Sequence, residues 1–152
     1  MKKEYKIILE SLLSQKEMEN VDKLEKECTD DIILEKFLCS KDCVFFFDWA
    51  DGFESFNRFY SFVRTRLKIL AGLDFELMDA HFSLLKDRVM RKGDFVPFLV
   101  KIFNQQLESY GFVCISMPAY DDTYRICIAK HSYSYLLSQI EFMESKIQLC
   151  ND

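Results

Sequence analysis

Cys43-Val44-Phe45-Phe46-Phe47-Asp48-Trp49-Ala50-Asp51-Gly52 decides how the rest of the chain is read. Three consecutive phenylalanines leave no wet face, so the run implies a strand covered on both sides. We expect it over residues 43–49, central in its sheet or clasped between helices. Asp51-Gly52 supplies turn chemistry, and Asp51 is a candidate N-cap for the element that follows. Trp49, the only tryptophan of the chain, is expected to anchor the strand's end against that next helix.

Downstream, Phe53, Phe56, Phe59, Tyr60, Val63, Leu67 and Leu70 recur at helical spacing, with Arg58, Arg64, Thr65 and Lys68 opposite. Gly72 interrupts this helix. Leu77, Ala80, His81, Leu84, Leu85 and Val89 continue the pattern to Gly93, and a third helix opens at Asp94-Phe95-Val96-Pro97 and ends at Gly111. Helices are therefore expected across 53–110. Phe112–Met117 and Tyr124–Ala129 are strand-like runs joined by a six-residue connection, an antiparallel hairpin over 112–129. Ser132, Tyr133, Leu136, Leu137, Ile140, Met143 and Ile147 predict a closing helix over 132–148.

Upstream, Tyr5, Ile8, Leu9, Leu12 and Leu13 share one helix face. Asn20-Val21-Asp22 opens a second helical stretch, and Thr29-Asp30-Asp31 caps a further one through Ile32, Ile33, Phe37 and Leu38. This places N-terminal helices over 4–38. The order of helices, strand, helices, hairpin and helix predicts an α+β fold, helix-rich, with an antiparallel or mixed sheet of about three strands covered by helices. A length of 152 residues without repeats or linker composition fits one domain over 1–152.

The net charge of −5 is unevenly spread. Residues 1–51 hold 8 Lys or Arg against 13 Asp or Glu, residues 52–92 hold 8 against 5, and residues 93–152 hold 4 against 7. An acidic chain repels nucleic-acid phosphates at long range and attracts basic proteins. No segment approaches the roughly 20 apolar residues that cross a bilayer, and residues 1–6 lack the features of a signal peptide. Six cysteines, three of them in apolar strand-like runs, are expected as free thiols of a reducing cytoplasm.

No constellation in the chain reaches the specificity of a catalytic motif. Cys39 and Cys43 form one close pair without a second, so no metal and no cofactor is expected. Asp48, Asp51, Asp122 and His131 are the seed of an alternative enzymatic reading, in which crowded carboxylates at strand ends serve acid–base chemistry or hold a cation. Turn formation and helix capping account for the same residues without chemistry. A further alternative is RNA binding by Arg58, Arg64, Arg88, Arg91 and Lys92, although most neighbouring aromatics sit at core spacing.

The aromatic strand ending in Asp48-Trp49-Ala50-Asp51, with Tyr110-Gly111-Phe112 and Asp122-Thr123-Tyr124, resembles a family of small uncharacterised bacterial domains of unknown function over roughly residues 35–145. That resemblance implies no catalytic residue. In size, acidity and cytosolic character the chain also resembles immunity proteins of bacterial toxin–immunity systems, including those of contact-dependent growth inhibition. The expectation is a non-enzymatic cytosolic protein that binds a basic protein partner such as a toxin nuclease domain. Acidic residues would steer association, and those singled out are Glu17, Glu19, Glu25, Asp30, Asp31 and Glu35, with Asp121 and Asp122 as a second patch.

Overall fold

The computed structural model describes residues 1–151. Its centre is the antiparallel hairpin of β2 (Phe112–Met117) and β3 (Thr123–Lys130), in the register Phe112↔Lys130 through Met117↔Arg125. On the far side of β3 lies β1 (Phe45–Asp48), antiparallel with Phe45↔Ile126 and Asp48↔Thr123. On the far side of β2 lies the short β6 (Gln148–Leu149), giving a four-stranded sheet in the order β1-β3-β2-β6. The fold is α+β, with four strands in this sheet where about three were expected.

Alternation along the hairpin explains why its strands read as continuous apolar runs. Val113, Ile115, Met117, Cys127 and Ala129 point into one core, and Phe112, Cys114, Ile126 and Ile128 point into another on the opposite face. The first core is covered by α1 (Lys3–Leu12), α3 (Asp22–Glu27) and α4 (Asp31–Ser40), which contribute Ile8, Leu9, Leu12, Leu24, Leu34 and Leu38. The second is covered by α5 (Phe56–Ala71), α6 (Asp79–Asp87) and α7 (Phe95–Leu107). Phe47 from β1, Phe59 from α5 and Phe103 from α7 form a buried chain of rings, with centroids 5.1 and 4.9 Å apart in succession. Such pairs add about 0.5–1.5 kcal/mol each beyond the burial of their area.

Three expectations are corrected. The aromatic strand is shorter than 43–49 and lies at the sheet's edge, because the longer β3 takes the central place between β1 and β2. Phe45 and Phe47 reach the second core, but Phe46 points to the other face and is 43% exposed, its ring 5.5 Å from the Arg125 guanidinium carbon. Trp49 is likewise 43% exposed rather than a buried anchor.

The closing helix over 132–148 is also absent. After a short α8 (Ser134–Ser138), a two-stranded ribbon forms from β4 (Glu141–Phe142) and β5 (Ser145–Lys146), with Met143 and Glu144 at positive φ. Buried Ile140, Phe142 and Ile147 fit this ribbon, whereas Phe142 would fall off the helical stripe. The free edge of β2 then captures residues 148–149, pairing Ile115↔Leu149 and Ser116↔Gln148. Beyond that short pairing, Cys114 N–H is met by the buried Asn104 side chain at 2.7 Å, so an amide continues the ladder where a strand does not.

A helix the spacing did not reveal, α2 (Gln15–Met18), begins with a capping box: Ser14 Oγ accepts from Glu17 N–H and Glu17 accepts from Ser14 N–H.

Candidate functional site

The eight acidic residues singled out in the sequence divide by what their carboxylates already do. Glu17 closes the α2 capping box and takes both guanidinium nitrogens of Arg66 at 3.2 Å. Arg66 is 1% exposed, the largest fully buried side chain, and also donates to Leu12 O at 2.8 Å. Burial alone would raise the Glu17 carboxyl, but the hydrogen bonds from Arg66 and Ser14 outweigh it and hold the group below its ordinary value. Asp31 accepts from Tyr5 Oη and from Met143 N–H, and Asp30 caps α4 through Ile33 N–H at 2.9 Å. Glu35 pairs with Arg125, which also reaches Asp121 at 3.3 Å. These four carboxylates and Asp121 are occupied in holding the fold.

Glu19, Glu25 and Asp122 are exposed, and their carboxylates make no hydrogen bond or ion pair among the described residues. Glu19 follows α2 and Glu25 lies on α3, beside the exposed Asp22 and Glu27. Lys16, Lys23 and Lys26 are interspersed on the same two short helices. Asp122 stands apart, at the start of β3, where its carbonyl receives Trp49 N–H at 3.2 Å.

The enzymatic constellation is not assembled. Asp48 pairs with Thr123 at one end of β3, and His131 follows Lys130 at the other. At about 3.3 Å per residue the strand puts them roughly 26 Å apart. Asp48 and Asp51 are instead locked in a turn: Ala50 N–H donates to Asp48 Oδ1 at 2.9 Å and Asp48 N–H to Asp51 Oδ2 at 3.0 Å. Among the described residues no three His, Cys, Asp or Glu side chains are placed to hold a metal ion. The six cysteines are unpaired, and burial pushes the Cys43 and Cys150 thiols up to about 12 and raises Cys114 and Cys127 as well.

The basic band is split by the fold. Arg64 donates to Phe75 O and Tyr60 Oη, which fastens the loop after α5, and Arg58 stacks over Phe45. Arg88, Arg91 and Lys92 instead border a cleft of about 340 Å³ between the turn after β1 and the loop joining α6 to α7. Lys86 joins them there, a residue the sequence reading passed over because it sits inside a helical pattern.

The sequence reading also passed over Arg66. The signal was present: Arg66 falls three residues after Val63 and seven after Phe59, on the apolar stripe rather than opposite it, and a charge at such a position needs a buried partner.

Fold and site together define a small α+β protein with exposed carboxylates that make no ion pair among the described residues. No protein-family model matches the chain, and neither a curated protein nor a solved structure matches it. Among the described residues no helix is long and apolar enough to cross a membrane.

Proposed function

We propose that this chain is a non-enzymatic binding protein for a basic protein surface, most specifically a cytoplasmic immunity protein that occludes a bacterial toxin domain. The observation that carries the reading is the free charge on α2 and α3, where Glu19, Asp22, Glu25 and Glu27 are exposed and without ion-pair partners among the described residues. Carboxylates left unpaired on short exposed helices are available to a partner's cations and speed encounter through long-range attraction. The free thiols suit a reducing compartment.

The test asks whether a reading frame beside this chain's gene encodes a toxin-like domain, and follows that domain's association with the chain by surface plasmon resonance at several salt concentrations. A stable complex is expected, and Glu19→Lys with Glu25→Lys should slow association about tenfold at low salt and flatten its salt dependence. Failure of that domain to bind, or binding untouched by both substitutions and by salt, would overturn the assignment.

A further inference from the structure

The cleft between the β1 turn and the α6–α7 loop gathers four cations of this acidic chain around one cavity. Lys86, Arg88, Arg91 and Lys92 line its 340 Å³, against Asp51, whose carboxylate is already engaged by Asp48 N–H. Among the described residues only Arg91 has an acidic partner, Asp94 at 3.6 Å. The other three rest on aromatic rings: Lys86 lies 5.9 Å from the Phe82 centroid, Arg88 4.6 Å from Phe98 and Lys92 5.3 Å from Trp49. A ring face positions a cation without neutralising it, so these charges stay available to an anion.

Two aromatic side chains flank the cations. Trp49 keeps 43% of its surface exposed and Phe53 39%, although Phe53 stacks on buried Phe56. Gly93, at φ +92°, brings backbone against the indole so closely that a Cβ there would lie 3.2 Å from the ring. The indole is thereby held on one side by the loop that carries Lys92, at the border of the cleft. The volume lies at the low end of the roughly 300–1,000 Å³ of small-molecule clefts, enough for one nucleotide and too little for a duplex.

We propose that this cleft binds a nucleotide, its phosphates among Arg88, Lys92 and Lys86 and its base against Trp49. Cations supply the affinity for phosphate and the exposed indole supplies a face that any base can stack on. The proposal does not depend on the acidic helices, which cover the opposite face of the sheet.

Trp49 is the only tryptophan and adjoins Lys92 and Gly93 of the lining, so its fluorescence reports the border of this cleft. The intact chain is titrated with uridine triphosphate, with inorganic triphosphate, with a short oligouridylate and with an oligoglutamate peptide. Uridine triphosphate should quench the emission saturably and less tightly as salt rises, and Arg88→Ala with Lys92→Ala should weaken it about tenfold. Both side chains are exposed and free of ion pairs, and an unchanged circular dichroism spectrum verifies the variant's fold. Oligouridylate binding far more tightly than the mononucleotide would identify an RNA strand as the source of the nucleotide, and equal binding would identify free nucleotide. Oligoglutamate or inorganic triphosphate binding as tightly as uridine triphosphate would overturn the assignment of a base. Absence of saturable quenching at millimolar concentrations, or equal affinity in the variant, would overturn the site.

Discussion

Replacing Arg66 by Met removes the charge that ties α5 to α1 and α2 while keeping most of the buried stem. Three donor interactions vanish, two to Glu17 at 3.2 Å and one to Leu12 O at 2.8 Å. Breaking a buried ion pair by deleting one partner costs about 3–5 kcal/mol. Glu17 retains its Ser14 hydrogen bond and 17% of its side-chain surface in water, which puts the loss near the low end, about 3 kcal/mol.

In urea, with a slope of about 2 kcal/mol per molar, the unfolding midpoint should fall by about 1.5 M. Adding Glu17→Gln, which can still complete the capping box, removes the stranded charge and should recover about 2 kcal/mol. The pH dependence gives an independent reading. Because the native Glu17 carboxyl lies below its ordinary value, its contribution is complete above about pH 4.3 and is lost as pH falls through the depressed native value. In the Arg66→Met chain that acid-side loss should shrink. A cost below about 1 kcal/mol, as for a surface pair, or a double variant no more stable than Arg66→Met alone, would refute the reasoning.

Gly93→Ala should cost about 1–2 kcal/mol, because φ +92° is a region L-residues rarely adopt and the added Cβ meets the Trp49 ring. The same substitution should shift the tryptophan emission, and a spectrum and midpoint both equal to the parent's would contradict the close approach. Burial raises the thiols of Cys43, Cys114, Cys127 and Cys150, so alkylation of the native chain at pH 8 should leave these four untouched until denaturant is added. Rapid native labelling of Cys114 or Cys127, measured by peptide mass spectrometry, would show that the sheet is less closed than its packing indicates.

What could be read from residues alone follows the strength of local patterns. The helices α5 and α7 and the 112–129 hairpin were legible because their apolar positions obey one period and Gly72 and Gly111, both at positive φ, stop the chain after them; the middle helix, expected to run to Gly93, ends instead at Asp87 and leaves Val89 exposed. The 132–148 segment misled because Ile140, Met143 and Ile147 satisfy a helical period, while the pull of β2's unpaired edge comes from residues some thirty positions earlier. Strand order escaped for a similar reason: Phe45, Phe46 and Phe47 look central, and only the pairing of β3 on both its sides makes β1 an edge. Composition places the acidic residues at the surface, yet five of the eight named serve caps, hydrogen bonds and ion pairs with partners as distant as Arg66 and Arg125. Spacing marks Arg66 as a charge on an apolar stripe, but it does not name the partner.

The end of α1 has a consequence for how the chain comes to be folded. Its last turn contains no basic residue of its own, and its final carbonyls are met by Arg66 at Leu12 O and by Lys130 at Glu10 O and Leu13 O. At about 5–20 residues per second of synthesis, α1 waits several seconds or more for its last cation, Lys130, to leave the ribosome. Until then its core-facing side chains also lack the sheet they pack on, and an isolated ten-residue helix is marginal in water. The N-terminal layer is therefore early in synthesis and late in folding, and the hairpin near the C-terminus is what closes it.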